Sequence, residues 1–257
     1  MTNICYKVTP VFLPCVCVVP SMKNSSSQII PWHFQVLDRM KSQFFLKAIG
    51  ISLFMWGFFA GYFYLLKHPA YPVTTMPLTA LDAAIGFQPV TLFLYLSLWL
   101  YVTLPPALQA TRHTLIYYGL AVAILCIAGL TFFFFWPTAV PVTNIDWQQY
   151  YGFSLLKGVD AAGNACPSLH VATAVFSGIW LNHLLCEMGA PRLVRVFNWF
   201  WCAGIVYSTL ATKQHVALDM AAGAVLGTLA AALSLTVLSR LTRQNAMPFE
   251  IEQSQEL

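Results

Sequence analysis

Residues 196 to 238 read "VFNWFWCAGIVYSTLATKQHVALDMAAGAVLGTLAAALSLTVL", and whether they form one helix or two decides the fold. As one helix the run would be ~64 Å long at 1.5 Å per residue, about twice the roughly 30 Å hydrocarbon core of a bilayer. The chain is therefore expected to turn near Thr212, Lys213 and Gln214, giving spans near 196–212 and 216–238. Four further apolar runs reach the length of about 20 helical residues that a crossing needs, near 44–66, 90–108, 114–136 and 169–187. Composition agrees: 58% of the 257 residues are hydrophobic and 9% charged, with a mean hydropathy of +0.67, whereas soluble domains carry about 25% charged residues. The predicted fold is an all-α polytopic membrane protein, six transmembrane helices in a bundle, over residues 44–240. Residues 1–43 form an N-terminal cytoplasmic segment, partly disordered, and 241–257 a disordered cytoplasmic tail, polar and acidic in composition.

Basic residues set the orientation, because cytoplasmic loops retain Lys and Arg. With the N-terminus inside, Lys7, Lys23, Arg39, Lys41, Lys47, Arg112, Arg192, Arg195, Arg240 and Arg243 lie inside, against Lys67, Lys157 and Lys213 outside. Both termini are then cytoplasmic, and the outer ends of the fourth and sixth spans face the extracytoplasmic side. The expected setting is a bacterial inner (plasma) membrane. The stretch "VFLPCVCVVP" (11–20) is too short to span and a poor match to a cleaved signal, and "KNSSSQ" (23–28) reads as a linker. Seven cysteines show no CxxC and no disulfide framework. There is no nucleotide-binding glycine loop and no basic array for nucleic acid; the net charge of +4 reflects membrane orientation.

Two polar islands interrupt the oily chain, "NACPSLHVATA" (164–174) and "STLATKQHVALDMAAG" (208–223). Ionisable groups at or in a membrane usually face a protein interior or a wet cavity and are functional candidates. Asp219 follows His215 by four residues, a spacing that stacks the two on one helix face, so the carboxylate can fix the imidazole tautomer and leave the other nitrogen as base or nucleophile. His170 comes from a span running in the same direction, and could protonate a leaving oxygen. Pro167 has the look of a first-turn helix residue, with Asn164 as a possible cap. Free amides at that helix start would form an anion site, Ser168 would add a hydroxyl, and Lys213 and Lys157 are the nearby cations. Together these parts suit phosphoryl transfer, which needs mostly positioning and charge neutralisation.

"CPSLH" followed by "STLATKQHVALD" resembles the second and third signatures of the type 2 phosphatidic acid phosphatase superfamily, P-S-G-H and S-R-x5-H-x3-D. Pro167, Ser168 and His170 keep the spacing of the second; Ser208, His215 and Asp219 keep that of the third. The resemblance implies a six-helix membrane core, a nucleophilic His215 forming a phosphohistidine, Asp219 orienting it, His170 as acid, and no cofactor or metal. The implied partner is a lipid phosphate in the bilayer. The first signature, K-x6-R-P, is absent, glycine becomes Leu169, and the arginine of the third signature becomes Thr209. Leu169, together with "LDAAIGFQP" (81–89), looks more like the inositol phosphorylceramide synthase-like branch of inositolphosphotransferases.

Plainer readings stand beside these. His215 with Asp219 could be a helix-end ion pair; Ser168 and Ser208 could bond their own helix backbone; Lys213 could snorkel. Asp82 either caps a short loop helix or contacts an acceptor. His33, His68, His113 and His183 have no partner at useful spacing, and "TFFFFW" (131–136) reads as core and interfacial belt. Three function classes follow: a lipid phosphatase or phospho-headgroup transferase, a non-catalytic transporter or scaffold retaining the fold, and a metal-dependent enzyme built on a His/His/Asp facial triad.

Overall fold

The structure is a computed structural model that describes residues 30–143, 145–150, 152–153 and 164–255. The stretches at 11–20 and 23–28, and Lys157, lie outside the described residues. In chain order the helices are α1 (Trp32–Lys41), α2 (Phe44–Lys67), α3 (Ala80–Ala84), α4 (Leu92–Tyr101), α5 (Leu104–Ala107), α6 (Arg112–Phe135), α7 (Leu169–Glu187), α8 (Arg192–Ala211) and α9 (Ala217–Gln255). A two-residue strand β1 (Thr74–Thr75) pairs in parallel with β2 (Thr138–Ala139).

Among the described residues six helical segments are long and apolar enough to cross a membrane. They are α2, Pro89–Ala107 (a 3₁₀ turn, α4 and α5), α6, α7, α8, and Ala217–Thr242 of α9. The protein is thus an all-α integral membrane protein with six spans, as the length argument on 196–238 requires. The turn is made at Thr212–Gln214 by a Schellman arrangement: the Lys213 amide donates to Leu210 O (3.1 Å) and the Gln214 amide to Thr209 O (3.2 Å). Lys213 takes the left-handed position, φ +56°, where glycine is usual.

The bundle is unevenly packed. α7 is buried over 72% of its apolar window and α2 over 6%, which makes α7 the axis and α2 a peripheral stave. Tyr118, Leu125 and Phe133 of α6 meet Leu169, Phe176 and Trp180 of α7 in one core. A second core joins Leu98 and Tyr101 of α4 to Leu181, Leu184 and Leu185 of α7 and Cys202 and Ile205 of α8. α9 approaches α7 backbone to backbone through Gly223 and Gly227, whose added Cβ atoms would collide with the carbonyls of Ser168 and Ala172. This is the small-xxx-small device of membrane helix pairs, legible as "GAVLG" (223–227).

At the end of the bundle away from the polar islands, Lys47 is buried at 5% exposure and donates to the carbonyls of Arg39 (2.5 Å), Ala107 (2.8 Å) and Gln109 (2.9 Å). It satisfies helix-end acceptors that would otherwise lack partners, a task its place among the inside basic residues does not reveal. α1 falls within the N-terminal segment and packs Trp32 and Val36 on the α4/α7/α8 core. The backbone of α9 continues helical through Gln255, where the sequence predicts a disordered tail; prolonging an existing helix requires no new nucleus.

Candidate active site

The site is assembled at the ends of α7 and α9. Ser168 is the N-cap of α7, its Oγ accepting the Val171 amide at 3.3 Å. Pro167 therefore lies one residue before the cap rather than in the first turn. Asn164 does not cap α7 either, because Ser168 occupies that position; Asn164 instead bridges to Thr138 and donates Nδ2 to Tyr62 O at 3.0 Å. Thr138 holds the approach to α7, accepting the Ala165 amide on its carbonyl (3.0 Å) and the Cys166 amide on its Oγ1 (2.7 Å). The loops entering the site are thus tied to the β1–β2 pair.

Asp219 is the third residue of α9 and is fully buried. Its Oδ1 accepts the Val216 amide at 2.9 Å, half of a capping box, and its Oδ2 lies 3.0 Å from Nδ1 of His215. The carboxylate accepts, so Nδ1 carries the proton and the lone pair of the neutral ring sits on Nε2. A direct main-chain link joins the two islands: the Ser168 amide donates to Asp219 O at 3.0 Å. With Gly223 one turn further on, against Ser168, α7 and α9 are held at fixed depth.

That depth brings His170 and His215 together, with ring centroids 5.7 Å apart. His170 stacks on Tyr95 (4.6 Å, 22° between planes) and meets Trp99 edge to face (5.7 Å, 73°). Both aromatics come from α4, where a run of apolar residues gives no sign of such a role. His170 Nε2, Asn164 Oδ1 and Gln214 Nε2 are buried without a hydrogen-bond partner among the described residues. Buried polar atoms are seldom left so in a site with nothing to bind.

The remaining candidates are placed as follows. Ser208 Oγ donates to Ile205 O at 2.6 Å, and Thr209, in the position of the signature arginine, is fully buried with its carbonyl accepting the amides of Gln214 and His215 (3.2 and 3.1 Å). Lys213 Nζ donates to Asp82 O (2.9 Å) and Ile85 O (2.5 Å). Lys157 lies outside the described residues. Asp82 takes the capping reading, doubly. Its Oδ2 accepts the Thr79 amide and hydroxyl (2.7 Å each) at the start of α3, and its Oδ1 accepts the Ala217 amide (2.8 Å) at the start of α9. Burial alone would push the Asp82 carboxyl up. The hydrogen bonds from Thr79 and Ala217 and the Lys213 charge outweigh burial and hold the group below its ordinary value. The Cys166 thiol is pushed up to about 11, by burial and then by the Asp219 charge, so it stays neutral beside the site.

The facial triad of the metal reading does not assemble. Both Asp219 oxygens are engaged by His215 and Val216, and no group of three or more His, Cys, Asp or Glu able to hold a metal forms among the described residues. What does form is an oriented imidazole facing a second imidazole from a parallel helix. The family model of the PAP2 superfamily matches residues 110–243, more than half of the chain. The chain belongs to the PAP2 superfamily. Its members are phosphatases or phosphotransferases, and the match covers α6 to α8 and α9 through 243, including both polar islands. "LDAAIGFQP" (81–89) lies before the matched part. Nothing among the curated proteins or the solved structures matches this PAP2 chain.

Proposed function

We propose that this PAP2 protein is a membrane enzyme of phosphoryl transfer on lipid phosphates, acting through a phosphohistidine at His215. The observation that carries the reading is the Asp219–His215 pair facing the unpartnered Nε2 of His170 across 5.7 Å between rings. Nε2 of His215 attacks phosphorus, the bond from phosphorus to the alcohol oxygen breaks, and that oxygen takes the proton of His170. His170 then accepts the proton of the incoming hydroxyl as its oxygen attacks phosphorus and the P–N bond breaks. Asp219 stabilises the positive charge on the ring while phosphorus is attached. Each step moves a proton between groups within one phosphate's reach, which is the geometric condition for general acid–base catalysis.

The acceptor hydroxyl belongs to water in a phosphatase and to a second lipid or a headgroup in a transferase. The transferase reading rests on the resemblance of residues 81–89 to the inositol phosphorylceramide synthase-like branch. The stretch that suggests that branch, 81–89, is bonded to the third signature through Asp82 to Ala217 and through Lys213 to Ile85. We place the site at the extracytoplasmic face of a bacterial inner membrane with both termini cytoplasmic, from the basic bias at the opposite end. Incubating the protein in lipid vesicles with phosphate-labelled phosphatidic acid and phosphatidylinositol tests the assignment. Label released as phosphate identifies a phosphatase, and label on a second lipid a transferase. Label that moves equally in His215→Ala overturns the phosphohistidine route.

A further inference from the structure

A cavity of about 670 Å³ lies between α2, α4, α6 and α7, and His170 is part of its wall. From His170 it runs past Tyr62, Phe58 and Phe54 of α2 toward Lys47 at the opposite end of the bundle. The stretch of α2 between Tyr62 and Lys47 is ~22 Å long at 1.5 Å per residue. Divided by a share of about 30 Å³, that of one water in the liquid and close to one methylene, the volume holds about 20 methylene-sized groups. That is room for one hydrocarbon chain.

The far end is bounded by Lys47. The Lys47 ammonium is committed to three main-chain carbonyls and to Ser42 Oγ, so it stands as a fixed floor. Just above it the wall is made of Gly50 on α2 and Gly119 on α6, and a Cβ added at either meets nothing within 4 Å. Gly50 is exposed and Gly119 half-buried, so these two glycines leave the end of the cavity nearest Lys47 wide and open along its side.

We infer that the cavity is a measured slot for a single hydrocarbon chain of the lipid phosphate, its phosphate end at His170 and its limit of about 20 carbons set by Gly50, Gly119 and Lys47. The inference rests on the reading that His170 faces the phosphate. A chain leaving the bilayer for this slot exchanges one apolar surrounding for another, because lipid tails are as apolar as the lining. The slot therefore gives an upper limit on length rather than affinity that climbs with each methylene.

The test uses mono-n-alkyl phosphonates, whose C–P bond the proposed route does not break. Octyl- and eicosylphosphonate are titrated against the full chain in lipid nanodiscs, and the eicosyl-to-octyl affinity ratio is compared between proteins, which cancels partition of the probe into lipid. Gly50→Leu lowers the ratio by about tenfold or more, as forcing methylenes into filled space does. Gly119→Leu, on a different helix, does the same, so that one misfolded variant leaves the other to report. Leu53→Phe, on the 64% exposed outer side of α2, leaves the ratio at the wild-type value. Unchanged ratios in both glycine variants, or a wild-type protein that binds neither phosphonate, overturn the slot. Turnover that survives His215→Ala overturns the phosphohistidine reading instead, so the two fail separately.

Discussion

The seam between α7 and α9 and the flank along α2 are built from the same apolar alphabet and differ in nearly every physical respect. At the seam, Gly223 and Gly227 lie against carbonyls, Ser168 donates to Asp219 O, and no side chain separates the backbones. Along α2, Phe54, Phe58 and Tyr62 reach the α6/α7 core, yet a cavity of about 670 Å³ remains beside them. On the proposed reading, the close seam carries chemistry that depends on a fraction of an ångström, and the loose flank leaves space for a lipid chain. Rigidity and volume are thus divided between different helix pairs.

The largest effects are expected where the seam carries the chemistry. His170→Ala, His215→Ala and Asp219→Asn each abolish turnover of lipid phosphate while membrane insertion stays unchanged; for the acid alone the loss is about 10²–10⁴-fold. Assaying label transfer beside the yield of membrane-inserted protein checks this, and near-normal turnover in all three would sink the assignment. Next comes the seam itself. Gly223→Val drives two methyl groups at the Ser168 carbonyl and destabilises by about 1–3 kcal/mol or more, seen as a lower Tm in detergent with turnover falling in parallel. An unchanged Tm would mean that the helices do not need the close approach.

Asp82→Ala removes the acceptor for two helix starts, with about 1 kcal/mol expected for each cap, and loosens the 79–91 loop from the turn after α8. Because the Asp82 carboxyl is held below its ordinary value, its contribution is present above the ordinary carboxylate range and is lost as pH falls through the depressed value. Acid melts of wild type and Asp82→Ala should therefore converge at low pH, and parallel curves would contradict the pairing. The smallest effect is expected at Lys213→Gly. Relief of a left-handed non-glycine residue, about 1–2 kcal/mol, opposes loss of two charge-assisted bonds of the Lys213 ammonium to Asp82 O and Ile85 O. Thermal melts should move by only a few degrees, whereas a collapse in Tm would show that the ammonium anchor far outweighs the backbone relief.

The six spans were legible in the sequence because length against bilayer thickness is a strong constraint, and the break at Thr212–Gln214 followed from it. The meeting of His170 with His215 was legible from parallel spans and the spacing of His215 and Asp219. The rest was not, for identifiable reasons. Tyr95 and Trp99 look like any aromatics of an apolar helix, and only the fold reveals that both contact the His170 ring. For Asp82 the sequence left capping and an acceptor contact both open, and the amide of Ala217 is 135 residues away, beyond any local pattern. Pro167 and Asn164 were assigned by preference at a helix start, whereas the ties of residues 164–166 to Thr138 leave capping to Ser168. Gly223 and Gly227 did carry a signal, the four-residue spacing of small residues, which becomes informative once the chain is known to cross a membrane.

The central claim is that His215 carries the phosphoryl group. Its most direct test is to quench the protein in alkali during turnover of a labelled lipid phosphate and locate the label by peptide mass spectrometry. The account predicts a phosphoryl group on the peptide containing His215, lost in His215→Ala and accumulating in His170→Ala when a good leaving group removes the need for the acid. Label on another residue, or turnover that proceeds in His215→Ala, would contradict it.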